Sequence, residues 1–152
     1  MTRAITLFLC TALSTADPAA AQSDQATSAR LDALFGAHEP YRAFLAALKE
    51  SVSEGDEAAV AAMVAYPLET TLAGERVTLA SEDDFMQRYE QLLTPAVVAA
   101  VEKQTYATLF ANAEGAMIGD GEVWFSGVCG DATCAEASVR IIAVNPPDGD
   151  GS

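Results

Sequence analysis

Histidine is the side chain that most often transfers protons near neutral pH, and this sequence contains one, His38. Residue count alone would allow a serine-histidine-acid triad. However, the Gly-x-Ser-x-Gly motif that presents the nucleophilic serine in one large hydrolase class is missing from the sequence. His38 and Glu39 precede Pro40, and proline is favoured at the first position of a helix. We therefore interpret His38 as a polar residue at a helix entrance rather than as a catalytic base.

Two of the three cysteines, Cys129 and Cys134, flank the tetrapeptide Gly130-Asp131-Ala132-Thr133. This spacing differs from the Cys-x-x-Cys motif of redox and zinc sites. One histidine and two cysteines are also too few nitrogen and sulfur ligands for a closed zinc site. In an oxidising compartment such a pair forms a disulfide across the end of a hairpin. The sequence therefore predicts a Cys129–Cys134 disulfide, no metal site and no cofactor.

The N-terminus has the three parts of a secretory signal peptide. Arg3 gives the positive start, Ala4 to Leu13 form the apolar centre, and Ala19-Ala20-Ala21 supply small residues for cleavage. We place the cleavage after Ala21, so that residues 1–21 are the signal peptide and the mature protein is periplasmic or secreted. The apolar run is shorter than the roughly 20 residues of a transmembrane helix, and we expect no membrane insertion.

The acidic balance of the chain limits its partners. It has 22 acidic and 8 basic residues, a formal net charge of −14 at pH 7. This charge repels the phosphates of nucleic acids and anionic lipids, so we expect no nucleic acid partner. With 51% hydrophobic residues, residues 22–145 can bury a core and are predicted to form a single domain. Residues 146–152 are predicted to be a disordered tail.

Apolar residues recur at helical spacing through the first two thirds of the domain. Ser81 with Asp84 matches a capping box, and Thr94 followed by Pro95 matches a helix start. Residues 22–29 are small and polar and are predicted to be a loose lead-in. The helices are predicted over about 26–35, 40–54, 56–66, 81–93 and 94–104.

Strand patterns occur in two places. A short hairpin is predicted between the third and fourth helices, with Gly74 supplying the positive φ of its turn. Longer strands follow the last helix. The strands are predicted over 68–72, 76–79, 105–110, 116–118, 122–129 and 135–144.

The predicted disulfide sets a register for the last hairpin. If the two cysteines face each other, Trp124 lies opposite Val139, and Glu122 shares the face of Trp124. Val123 and Phe125 then lie opposite polar partners on the other face. We expect the face with the indole to be covered by the helices.

Three segments have recognisable sequence motifs: VAAMVAYPL at 60–68, LFAN at 109–112 and GAMIGDGEVWF at 115–125. Together with the order of helices and strands, they resemble poorly characterised exported bacterial members of the NTF2-like superfamily, over about residues 40–145. The resemblance implies an α+β fold in which N-terminal helices pack on a curved antiparallel sheet, giving a cone. It implies no single function, because this fold hosts enzymes, binders and interaction modules.

A cone of this kind has room for a pocket, which we expect Tyr66, Tyr89 and Trp124 to line. Aromatic walls with few polar groups are typical of ligand sites. The leading hypothesis is therefore binding of a small apolar ligand or a protein partner without turnover. A homodimerisation module, using the exposed sheet face with Val123 and Phe125, is another hypothesis.

An enzymatic alternative also follows from the resemblance. Some relatives of this fold are isomerases, cyclases or dehydratases that hold an acid and a tyrosine in an apolar cavity, where burial raises the pKa of the acid. By analogy, Glu122 or Asp120 would be the base of a small lyase or isomerase, and Tyr89 its acid. Tyr106 and Arg140 are further candidates for the wall of such a cavity.

Overall fold

The computed structural model describes residues 18–147, with side chains from residue 23 onward. Most of the predicted signal peptide, and residues 148–152 of the predicted tail, lie outside the described residues. The fold is α+β, with N-terminal helices and an antiparallel sheet, as predicted. The elements are α1 (Pro18–Phe35), α2 (Glu39–Glu54), α3 (Glu57–Ala62), β1 (Leu68–Leu72), β2 (Glu75–Leu79), α4 (Glu82–Gln87), α5 (Tyr89–Leu92), α6 (Pro95–Lys103), β3 (Phe110–Asn112), β4 (Gly115–Ile118), β5 (Val123–Cys129) and β6 (Ala137–Val144).

Helix α1 is longer than predicted and packs into the domain. It begins at Pro18 and continues across the predicted cleavage site. Leu31 is fully buried, and the hydroxyl of buried Thr27 donates a hydrogen bond to the carbonyl of Ala107 at 3.1 Å. The prediction of a loose lead-in over 22–29 is therefore wrong, because a polar side chain in this segment is bonded to a residue 80 positions further along the chain.

Local signals mark the helix ends, and the predicted starts at Ser81 and Thr94 are confirmed. Gly55 ends α2 with a left-handed φ of 68°. Asp56, Ser81 and Thr94 each accept a hydrogen bond from the backbone N–H three residues later, at the starts of α3, α4 and α6. These caps satisfy backbone donors that the first helical turns leave unpaired.

Helix α3 ends earlier than predicted, at Ala62 rather than at Tyr66. The residues that follow run beside the sheet, where Val64 forms a parallel bridge with Ile141 of β6. This contact holds the backbone extended, and tertiary pairing thus overrides the helical pattern of the sequence.

Two further boundaries differ from the prediction. The helix predicted over 81–93 is divided at Arg88 into α4 and α5. The strand predicted over 105–110 begins only at Phe110. Ahead of it, the Thr105 and Thr108 side chains bond each other and nearby backbone, and such local bonds compete with strand pairing.

The strands form two sheets. β1 and β2 make the predicted hairpin, with Gly74 at φ 80° in its turn. The other four strands form an antiparallel sheet in the order β3-β4-β5-β6. The hairpin lies against the last strand, since the hydroxyl of Thr70 donates to the carbonyl of Val144 at 2.7 Å.

The core lies between the helices and one face of the four-stranded sheet, here called the inner face. Phe125 is fully buried there, with its ring centroid 4.9 Å from that of Phe44 and 6.1 Å from that of Tyr41, both on α2. Val123 is also buried. The expectation that Val123 and Phe125 occupy the exposed face is therefore wrong.

The predicted register of the last hairpin is wrong as well. Trp124 faces Ala143 rather than Val139, and the ladder is irregular between Trp124 and Phe125. In the structure Arg140 lies opposite Ser126, so the inner face is not interrupted by a charge. The predicted register had placed Arg140 on the face of Val123 and Phe125, which made that face look polar.

None of the helices within residues 18–147 has the length and apolar character needed to cross a lipid bilayer.

Candidate functional site

An apolar row crosses the outer face of the four-stranded sheet, opposite the helices. Phe110 on β3 pairs with Met117 on β4, Met117 pairs with Trp124 on β5, and Trp124 pairs with Ala143 on β6. Directly opposed residues in a sheet share a face, so the four side chains form one line. We call Phe110, Met117, Trp124 and Ala143 the outer row.

Two aromatic rings in the outer row contact each other and solvent. The rings of Phe110 and Trp124 meet edge to face, with centroids 6.5 Å apart and an angle of 84° between their planes. Phe110 is 45% exposed, and Trp124 is half-buried. Among the hydrogen bonds of the described residues, none uses the indole N–H. That donor is therefore available to a partner.

The turn between β4 and β5 forms one wall beside the indole. Gly121 in this turn has a φ of 118°, a conformation that favours glycine. A Cβ atom at this position would lie 3.7 Å from Nε1 of Trp124 and 3.9 Å from Sδ of Met117. The turn therefore packs directly against two members of the outer row.

The two predicted catalytic carboxylates belong to this same turn. An oxygen of Glu122 accepts a hydrogen bond from the backbone N–H of Asp120 at 2.6 Å, and Asp120 is exposed. Glu122 and Trp124 line one depression of about 460 Å³, as their predicted proximity required, but it is open on the outer face. The Glu122 carboxylate thus closes its own turn instead of entering an enclosed cavity.

The three residues predicted to line a ligand pocket are placed apart. Tyr66 borders a depression at the end of the β5–β6 hairpin, Tyr89 borders one beside α4, and Trp124 borders the depression on the outer face. Each of these three depressions is lined by only one of the three residues. The structure therefore does not bring them together as one aromatic pocket.

Burial and nearby carboxylates act on both tyrosines. Partial burial, with the negative charges of Glu82 and Asp84, raises the pKa of Tyr66 to about 12. Partial burial, with smaller effects of Glu57 and Asp56, also raises the pKa of Tyr89. A proton donor is most effective when its pKa lies near the working pH. Both shifts take the phenols further from that range.

Tyr106 and Arg140, the other candidates for a catalytic cavity, each join distant segments. The Tyr106 hydroxyl hydrogen-bonds the hydroxyl of Ser28 at 2.9 Å, and the Arg42 guanidinium lies 4.4 Å from the centre of the Tyr106 ring. Arg140 donates to the carbonyl of Ala62 at the end of α3. These contacts hold helices to the strands and loops beside them.

His38 stands at the N-terminus of α2, as predicted, and links it to the end of α1. Its Nδ1 lies 2.8 Å from a carboxylate oxygen of Asp32, and its Nε2 lies 3.8 Å from one of Glu39. One ligand atom from each residue lies within 4.8 Å of the others, a spacing that could hold a metal ion. The hydrogen bond to Asp32 engages one ring nitrogen, and the pair joins the two helices.

The predicted disulfide is confirmed. Cys129 and Cys134 are bonded, with 4.8 Å between their Cα atoms. Within the loop, one oxygen of Asp131 accepts hydrogen bonds from the hydroxyl and the backbone N–H of Thr133 and from the N–H of Cys134. These bonds favour the charged carboxylate and lower the pKa of Asp131.

Sequence reasoning missed three members of the outer row: Ala143 on β6 and, on β3 and β4, Phe110 and Met117. The alternation of side chains along β3 and β4 was the signal available, since buried Ala111 and Ala116 flank them. That signal was lost because the strand containing Phe110 was predicted to begin five residues too early, at residue 105.

Comparison of the chain with protein-family models, curated proteins and solved structures finds no match.

Proposed function

We propose that this protein is an exported, non-catalytic binding domain of NTF2-like type, and that its outer row binds another protein. The observation that carries the proposal is the contact between exposed Phe110 and half-buried Trp124 on the outer face. Apolar side chains exposed singly are ordinary, whereas contiguous apolar patches on soluble proteins mark interaction sites. Tryptophan is also enriched among the residues that contribute most to binding at interfaces.

The shape of the surface favours a protein over a small apolar ligand. Small-molecule sites are concave and cover most of the ligand surface. The interior between the helices and the sheet is filled by side chains such as Phe85 and Phe125, both fully buried. The outer row is a line of side chains across a sheet, which suits the broad contact that a protein makes.

Charge indicates the kind of partner. The chain has a formal net charge of −14, and Asp120 and Glu122 lie in the depression that Trp124 lines. Two copies of such a chain repel each other over long distances, whereas a basic protein is attracted. The proposed partner therefore has an apolar patch surrounded by lysine and arginine side chains.

The contacts around the carboxylates support a role without turnover. Glu122 is held by the backbone of its own turn, and Tyr89 lies in a different depression from Asp120 and Glu122. A general base and acid must both reach the reacting atoms. This separation gives no support to the lyase or isomerase alternative.

Two features support the remaining parts of the proposal. The order of helices, hairpin, helices and four strands agrees with the order from which the NTF2-like resemblance was inferred. The Cys129–Cys134 disulfide is typical of proteins that fold in an oxidising compartment. It supports a periplasmic or secreted location.

The test compares substitutions at two exposed apolar side chains. Phe110→Asp places a charge in the outer row, and Leu34→Asp is the matched control, because Leu34 is 39% exposed on α1. Immobilised wild-type protein and both variants are exposed to the exported fraction of the host cell. We expect a partner that the wild type and Leu34→Asp retain and that Phe110→Asp loses. With the purified partner, we expect at least tenfold weaker binding by Phe110→Asp.

The same titrations include two further measurements. Trp124 is the single tryptophan of the chain, so binding should change the tryptophan fluorescence of the wild type, and the affinity should fall as salt is raised. Equal binding by Phe110→Asp and wild type would contradict the proposal. So would a small molecule retained by the purified protein in native mass spectrometry. A dimer that Phe110→Asp dissociates would assign the outer row to a second copy instead.

A further inference from the structure

One edge of the four-stranded sheet is only partly paired. The backbone N–H of Ile141 in β6 donates to the carbonyl of Met63 at 2.9 Å, and its carbonyl accepts from the N–H of Ala65 at 2.9 Å. Both groups of Ile141 therefore point away from β5. Backbone directions alternate along a strand, so the N–H and C=O groups of Val139 and Ala137 point to the same outer edge.

A contact on β5 agrees with this assignment. Gly127 lies opposite Val139 in the ladder. The N–H of Gly127 donates to the hydroxyl of Tyr41 at 3.0 Å. Its donor therefore points away from β6, as it does in a pair whose residues exchange no hydrogen bonds. The backbone N–H and C=O of Val139 therefore point away from β5, toward the free edge of the sheet.

The chain itself covers only part of this edge. The segment from Met63 to Ala65 pairs with Ile141 in parallel orientation, so the chain before Met63 lies on the Val139 side of this bridge, where α3 ends at Ala62. In the described part of the protein, no hydrogen bond reaches the outward groups of Val139 or Ala137. An unpaired strand edge is a template on which a further strand can form.

A depression of about 690 Å³ lies beside this part of β6, and its lining includes Tyr66, Ser138, Arg140 and residues of the disulfide loop. Asp131 and Glu136 also line it. The guanidinium of Arg140 already donates to the carbonyl of Ala62. Arg140 keeps its positive charge in this bond, so two carboxylates against one guanidinium leave the depression with a net negative charge.

We propose that an extended peptide segment with a basic side chain adds as a strand to the free edge of β6, beside Ala137 and Val139. Main-chain hydrogen bonds to these two residues supply affinity, as in other cases of strand addition. The side chains of Asp131 and Glu136 select a lysine or arginine in the segment. This site is separate from the outer row.

The probe is the capped synthetic peptide Lys-Val-Thr-Val-Lys, titrated into isotope-labelled protein and followed by NMR. We expect the largest amide shifts at Ala137 and Val139, together with slower hydrogen exchange of the Val139 amide. In an extended peptide alternate amides point to opposite edges. Two peptides are therefore made, each N-methylated on the amides of one edge. We expect one of them to bind as the unmethylated peptide does, because its methyl groups point away from β6. Methylating both edges should weaken binding at least tenfold.

Two protein variants separate the charge effect from a general loss of negative charge. Glu136→Gln removes a carboxylate of the depression, and Glu102→Gln is the control, because Glu102 is exposed on α6. Since one exposed ion pair contributes little, we expect about two- to fivefold weaker binding for Glu136→Gln and no change for Glu102→Gln. Phe110→Asp should bind the peptide as tightly as the wild type does. The strand-addition site and the outer row are therefore tested separately, and either proposal can fail without the other.

Three results would overturn the inference. The first is the absence of shifts at Ala137 and Val139 at millimolar peptide. The second is equal binding by the unmethylated peptide and the peptide methylated on both edges, since the main chain would then play no part. The third is slower exchange of the Val139 amide at rising protein concentration without peptide, which would assign the edge to a second copy of the chain.

Discussion

Both faces of the four-stranded sheet carry apolar side chains, yet these side chains have different surroundings. On the inner face Phe125 is fully buried against the rings of Phe44 and Tyr41. On the outer face Phe110 is 45% exposed and contacts Trp124 at its edge. Side chains along β5 point alternately to the two faces. Trp124 and Phe125, which are adjacent in the sequence, therefore pack against different residues.

This difference teaches that apolar composition alone does not identify the core of the sheet. The inner face has buried apolar cross-strand pairs, including Phe125 with Ile141 and Val123 with Val144. The apolar side chains of the outer row therefore exceed what the core requires. We attribute the excess to binding, and the comparison predicts that the two faces respond differently to the same substitution.

The largest expected effect is on the inner face. Phe125→Ala removes a buried ring and leaves a cavity, which costs about 3–5 kcal/mol of unfolding free energy. Phe110→Ala is the matched substitution on the outer face. It loses an exposed ring and one aromatic pair, worth about 1 kcal/mol. Equilibrium urea denaturation of both variants measures the difference.

A similar loss of stability in both variants would contradict the assignment of the two faces. The opposite pattern is expected for binding, since Phe110→Ala should weaken the proposed partner contact while remaining folded. A variant that loses both stability and binding would not distinguish the two roles, and for this reason Phe110 rather than Phe125 is the residue to test for function.

The next effect concerns the disulfide at the end of β5 and β6. Replacing Cys129 and Cys134 together by serine should lower the unfolding free energy by about 2 kcal/mol, because a short loop is no longer closed in the unfolded chain. We expect the register to persist, since the inner-face pair of Phe125 and Ile141 sets it. NMR contacts between these two side chains in the double variant check the register. Their loss in a folded protein would show that the disulfide sets it.

Features that depend on a few neighbouring residues were predicted from the sequence. The hairpin of β1 and β2 follows from Gly74 in its turn, and the caps at Ser81 and Thr94 follow from side chains that bond the next turn of backbone. The Cys129–Cys134 disulfide is equally local. Each of these features is determined by nearby residues and does not depend on how distant parts of the chain pack.

Features that depend on distant contacts were not predicted. The irregular ladder beside Trp124 changes the pairing of β6, and no turn residue in the sequence marks it. The early end of α3 depends on the bridge from Val64 to Ile141, 77 positions along the chain. The candidate site was the part least predictable from the sequence, because Phe110 and Met117 become neighbours of Trp124 only when three strands are in register.

The smallest expected effect lies at the rim of the sheet, where Tyr66 belongs to neither face. Its pKa is raised to about 12, chiefly by burial and secondarily by Glu82 and Asp84. Because the folded state favours the neutral phenol, this contribution to stability is complete below the unfolded pKa of about 10. It is lost as the pH rises through the folded value. Alkaline titration by near-ultraviolet absorbance should show a late tyrosine transition that Tyr66→Phe removes. Glu82→Gln should lower the midpoint pH of that transition only slightly, because burial is the larger cause of the raised pKa. A large decrease in the midpoint would show instead that the charge of Glu82 contributes more than burial.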